Sequence, residues 1–198
     1  TGLMLMQMFP AVLALVQRLV ESGRAVAILG NHEINLLRED AKDGSGWFFD
    51  ARVARDHDKY APFQRPDADA RQSIVAFLSS LPIGLERADL RVVHAAWQAD
   101  QIEMVRALPM GSVRERYDDW EQAAKQYAID TELELRMSTE LDRWEHDLEN
   151  QHMQPPFMHA IAEHESNKQM MNPLKVLTSG VERKGTVPFY SSGKWRFA

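Results

Sequence analysis

The sequence predicts an α/β fold from three stretches of different periodicity. Residues 10–23 read as a helix with Val12, Val16, Leu19 and Val20 on one face, and it is followed by the short apolar run Ala25-Val26-Ala27-Ile28-Leu29. Ile83-Gly84-Leu85-Glu86 and Leu90-Arg91-Val92-Val93-His94 alternate around Arg87-Ala88-Asp89, as a strand pair with a tight turn does. Residues 99–171 then space Trp120, Tyr127, Leu133, Leu141, Trp144 and Leu148 at helical intervals.

Each element has its own local cause. Pro10 suits the first turn of the first helix and Gly23 its C-terminal cap. The apolar run 25–29, bounded by glycine, reads as a buried parallel strand, so helix and strand form half of a βαβ unit. Residues 39–66 are polar and turn-rich, with Gly44, Gly46, Pro62 and Pro66 marking loops and Trp47-Phe48-Phe49 tacking the excursion to the core. Asp67 is an N-cap for a helix that buries Ile74, Phe77 and Leu78 and stops before Pro82. The helical region breaks at Pro109-Met110-Gly111 and at Pro155-Pro156, and Leu174-Lys175-Val176-Leu177 reads as a return to sheet. The resulting division is a core over 1–98, a helical insertion or cap over 99–171, and a return to the core sheet over 172–198.

Composition removes several functions. The chain has 198 residues, 44% hydrophobic and 26% charged, which suits a globular domain with its own core. A net charge of -6 argues against a nucleic-acid surface. With no cysteine there are no disulfides, thiolate zinc sites or cysteine nucleophiles, which fits a cytoplasmic protein. The Met-rich start, residues 3–9, lacks the basic flank and small-residue cleavage site of a signal peptide, and Pro10 and Gln17-Arg18 interrupt any membrane span; it reads as a buried amphipathic helix. The opening on Thr1 and the strand-like run 193–198 give the chain the look of an internal piece.

Chemistry concentrates at Gly30-Asn31-His32-Glu33, where a strand would end; ligands in open α/β sheets bind beyond the carboxyl ends of strands. Gly30 permits a sharp exit, Asn31 offers an amide oxygen to a divalent ion, His32 can donate a proton near neutral pH, and Glu33 can orient neighbours or cap the short helix over 34–37. His94 stands at the end of a second strand, followed by Ala95-Ala96.

Gly30-Asn31-His32-Glu33 after an apolar strand resembles the central signature of the calcineurin-like metallophosphoesterases, in a bacterial, phosphoprotein phosphatase-like branch. Ser79-Ser80-Leu81-Pro82, the strand pair and His94 follow the order that family uses, and Asn172 to Glu182 is similar to the stretch before its final sheet. The resemblance implies a two-sheet αββα sandwich, Asn31 and His94 as metal ligands, and His32 as the proton donor to the leaving group. It also implies two divalent ions (manganese, iron or zinc) and a phosphorylated protein or nucleotide as substrate. The family's Asp-x-His and Gly-Asp-x-x-Asp-Arg-Gly motifs and its last Gly-His motif are absent, and with them the acidic residue that orients the donor histidine. The expectation is an incomplete catalytic domain that is inactive by itself; the alternative is a non-catalytic helical binding module on a degenerate phosphoesterase scaffold. His146, His152, His159 and His164 read as solvated helix surface and His57 as an exposed loop residue.

Overall fold

The computed structural model describes residues 9–60, 62–146, 150, 152, 156–183, 189–190 and 196–197. The Met-rich residues 3–8 and the run 193–195 lie outside the described residues. The chain is mostly helical and divides into two compact units, Thr1–Trp97 with Ala107–Arg114, and Gln98–Arg106 with Glu115–Ala198.

The first unit holds α1 (Phe9–Glu21), α2 (Asn31–Leu37), a short 3-10 turn at Asp50–Arg52, α3 (Val53–Lys59), α4 (Ala68–Ser79) and the hairpin β1 (Gly84–Arg87) and β2 (Leu90–Val93). Gly23 follows α1 at φ +70, the left-handed position a glycine cap supplies. Asp67 caps α4 as predicted, its Oδ1 accepting from Ala70 N at 2.8 Å. Ile74, Phe77 and Leu78 of α4 are buried with Leu29, Ile34, Leu36, Leu37, Trp47 and Phe48, so one apolar core joins α2, α4 and the aromatic tack of the excursion. The excursion over 39–66 is more ordered than its loop composition predicts, because α3 carries Asp56 inward. Asp56 is buried, accepts from Gly46 N at 2.7 Å and pairs with Arg52 at 3.1 Å. β1 and β2 pair antiparallel, with Gly84 opposite Val93 and Arg87 opposite Leu90, around a two-residue turn.

The strand predicted over 25–29 does not form. The segment takes neither helix nor strand, and among the described residues its one ladder-like bond runs from Leu29 N to Pro82 O at 2.9 Å. Pro82 has no N–H with which to return one. Val26 is 71% exposed, so the run is buried only toward Leu29. Apolar alternation reports an extended backbone and burial; a strand also needs a paired neighbour.

The second unit holds α5 (Ala99–Arg106), most of α6 (Val113–Asp130), then α7 (Leu133–Trp144), α8 (His159–Met170), α9 (Pro173–Ser179) and the short pair β3 (Phe189–Tyr190) and β4 (Arg196–Phe197), antiparallel. Leu148 and Pro155 lie outside the described residues; among the described residues of 99–171 the helical content is as predicted. The return to sheet at 174–177 is not, since these residues are the body of α9, which packs on α5 and α8. The reason lies in its ends. Asn172 accepts from Leu174 N at 3.1 Å and Lys175 N at 3.3 Å, Pro173 takes the first helical position, and Gly180 leaves at φ 98. Four apolar-alternating residues cannot outvote a complete set of helix caps.

Buried polar groups tie these helices together. The Asn172 amide also donates to Tyr117 O at 3.1 Å and Glu121 Oε1 at 3.0 Å, fixing α9 to α6. Glu140 on α7 accepts from the N–H groups of His159, Ala160 and Ile161 at 2.8, 2.9 and 3.2 Å. A side chain from a neighbouring helix thereby supplies the cap that Met158, at the N-cap of α8, does not. Below that cap Met158 and Ala162 are fully buried against Leu141 and Trp144. On the outer face Arg136 of α7 holds both oxygens of Glu163 on α8, and Tyr127 of α6 donates to the same carboxylate at 3.1 Å. The guanidinium holds the Glu163 carboxyl below its usual pKa, with the tyrosine hydroxyl adding to the effect. Among the described residues no helix is long and apolar enough to cross a membrane.

Two outcomes follow. Asn172→Ala removes a cap and leaves Tyr117 O without its donor, and should cost about 2 to 3 kcal/mol in urea unfolding. Glu163 has a depressed carboxyl pKa in the folded chain, so its contribution is present above the unfolded value and is lost as pH falls through the folded one. The acid-side loss of stability should therefore be shallower in Glu163→Gln than in wild type; equal slopes would remove the ion pair from the account.

Candidate metal centre

Gly30 ends the extended segment at φ -106 and ψ -178, and Asn31 begins α2 directly after it. Two local bonds set the turn. Ile34 N donates to Gly30 O at 3.1 Å, and Gly30 N donates to Glu33 Oε2 at 3.0 Å. Glu33 is the third residue of the helix, where a carboxylate can reach back to the N-cap N–H and meets the positive end of the helix. The capping role predicted for Glu33 is the one it fills.

His94 reaches this turn through the hairpin. The Leu29–Pro82 bond holds the extended segment to the lead-in of β1, and β1 carries β2 beside it, with Val93 opposite Gly84. His94 is the next residue, and the Nδ1–Cε1 edge of its ring rests on Gly30. A Cβ built on Gly30 would lie 2.7 Å from His94 Nδ1, 2.8 Å from His94 Cε1 and 2.8 Å from Glu33 Oε2. The turn thus accepts the imidazole only because residue 30 has no side chain.

The structure brings Gly30, Glu33 and His94 together, with Asn31 half-buried beside them at the start of α2. His32 is exposed, and no described contact joins it to His94. The sequence reading missed Pro82, whose carbonyl makes the tether; nothing in a Leu-Pro pair announces such a bond. It also missed Trp97, over which Arg91 stacks at 5.2 Å while pairing with Glu86 at 2.9 Å. The histidine assignments divide. His146, His152 and His159 are exposed as predicted, and so is His57, although it sits in α3 and stacks on Phe63 at 4.5 Å. The side chain of His164 is 26% exposed and its Nδ1 is buried, because α8 turns that face inward.

The donors suit a hard or borderline divalent ion, an amide oxygen from Asn31 and an imidazole from His94. The Glu33 carboxylate is engaged by Gly30 N. Among the described residues no group of three or more His, Asp or Glu side chains is gathered that could hold a metal. Asn31 and His94 are two such donors, one next to Gly30 in the chain and one resting on it. No family model, curated protein or solved structure matches the chain.

Gly30→Ala tests the contact directly. The new Cβ must displace His94 or open the Glu33 cap, at a cost of about 1 to 3 kcal/mol in unfolding free energy. The imidazole resonances of His94 should shift; unchanged His94 resonances would mean the ring does not sit on the glycine.

Proposed function

We propose that this chain carries part of the centre of a cytoplasmic, metal-dependent phosphoesterase of the calcineurin-like kind. One observation carries the reading: an imidazole from the end of a hairpin is seated against the glycine that opens the Asn31-His32-Glu33 helix. The sequence resemblance pairs the same two chain segments, and the contact between them does not depend on that resemblance.

On this reading Asn31 and His94 are two of the ligands to a pair of divalent ions, manganese, iron or zinc. When bound, the ions supply a nucleophile at neutral pH and balance the charge on the transferring phosphoryl group. Gly30 leaves room for His94 at the ligand position. Glu33 holds the turn through Gly30 N and so fixes where the Asn31 amide begins. His32, exposed at the second position of α2, delivers a proton to the ester oxygen as its bond to phosphorus breaks and water oxygen joins phosphorus. The substrate is a phosphate ester, on a phosphorylated protein or a nucleotide. The motifs that supply the other ligands are not among these 198 residues.

The expected outcome for these 198 residues with manganese is no turnover of p-nitrophenyl phosphate above background. A longer polypeptide from the same reading frame that includes the missing motifs should turn over. In it Asn31→Ala and His94→Ala should each lower bound metal measured by mass spectrometry. His32→Ala should keep the metal and lose about 10²- to 10⁴-fold in kcat. Unchanged metal content in both ligand variants would defeat the assignment.

A further inference from the structure

Two side chains share one point above Gly30. His94 Nδ1 lies 2.7 Å and Glu33 Oε2 2.8 Å from the position a Cβ would take on that glycine. The two atoms are therefore at most about 5.5 Å apart, within the ~4–6 Å over which a charge acts on a neighbouring ionisable group. Gly30 is buried and Glu33 half-buried, so this short path is screened less than a pair on the open surface. Glu33 is held there by its own task, since its Oε2 accepts from Gly30 N at 3.0 Å. The carboxylate cannot swing away without opening the turn.

A neutral imidazole carries one proton, on Nδ1 or on Nε2, and the group beside one nitrogen selects between them. A carboxylate beside Nδ1 attracts the proton to that atom and repels the lone pair that would otherwise stand there. Free histidine prefers the opposite tautomer, with the proton on Nε2. The Nδ1–Cε1 edge of His94 is the edge that meets the glycine, while the residue as a whole is exposed, so an ion can reach the rest of the ring.

We propose that Glu33 is a positioning residue for His94: its carboxylate keeps the imidazole proton on Nδ1 and leaves Nε2 as the bare nitrogen that a divalent ion takes. A carboxylate behind a ligating histidine fixes the tautomer and the ring orientation, and it raises the basicity of the ligating nitrogen. Glu33 then prepares both donors of the turn. Through Gly30 N it sets where Asn31 begins, and through Nδ1 it presets His94. What Nε2 binds rests on the phosphoesterase reading; the tautomer does not.

Glu33→Gln separates the two tasks. A glutamine at the third helical position can still accept from the N-cap N–H, but it carries no charge. Long-range proton–nitrogen correlation spectra of the isotope-labelled full chain read the tautomer, with His94 neutral and assigned through its backbone. In wild type His94 should be the Nδ1–H form. In Glu33→Gln the Nε2–H form should appear while the amide signals of α2 remain those of a folded helix. An Nε2–H tautomer in wild type, or an Nδ1–H tautomer that persists in Glu33→Gln, would overturn the proposal. In the longer polypeptide that carries the missing motifs, Glu33→Gln should weaken manganese binding about 10- to 100-fold. Equal affinity in variant and wild type would overturn the proposal as well. Failure of that wild-type polypeptide to bind manganese would instead count against the phosphoesterase reading, and the tautomer result would stand by itself.

Discussion

Gly30 is confined by what touches it. Its N–H is held by Glu33, its carbonyl by the first turn of α2, and its bare Cα by the ring of His94. Three separate pieces of chain depend on that one missing side chain: the extended segment that arrives, the helix that leaves and the hairpin that delivers the histidine. A methyl group there would push aside the His94 ring or the Glu33 carboxylate, the two side-chain ends that lie against the bare Cα. The hairpin reaches the glycine through the Leu29–Pro82 bond, so the local geometry and the long-range packing are parts of one constraint.

The second unit solves a different problem. Its helices are polar on their outer faces, and hydrophobic contacts such as Met158 against Leu141 and Trp144 are non-directional and discriminate weakly among helix registers. Polar bonds between helices choose among them. Asn172 belongs at once to the start of α9 and to the side of α6, and Glu140 belongs to α7 while capping α8. Such bonds are costly to misplace in a buried setting, so they select a register that apolar contacts alone would not.

Much of the local structure was legible. Pro10 and Gly23 around α1, Asp67 before α4 and the two-residue turn between β1 and β2 are chemistry that acts within a few residues, and each produced the predicted element. Two expectations fail for different reasons. Residues 25–29 and 174–177 carry similar apolar runs, and the first takes neither helix nor strand while the second is helical. For the second, the helix signals Asn172-Pro173 and Gly180 are local to the segment and override its four-residue alternation. For the first, nothing local says whether another segment pairs with it, and among the described residues none does beyond the Leu29–Pro82 bond. His164 is partly buried where its sequence predicts solvated surface, since the side of α8 that turns inward is set by packing and not by the residue.

The sequence by itself determined which residues could do chemistry around Gly30 and His94, where most helices begin and end, and that the surface is acidic without cysteine. Those properties follow from side-chain identity and from hydrogen bonds that span one turn. Only the tertiary structure decided that His94 lies on Gly30, that Glu33 secures the turn, that the run ending at Leu29 is bonded through a proline carbonyl, and that Asn167 ties α8 to α6 through Ala124 O. Each of these is a meeting of groups far apart in the chain. Whether they meet depends on the packing of everything between them, which no local pattern records.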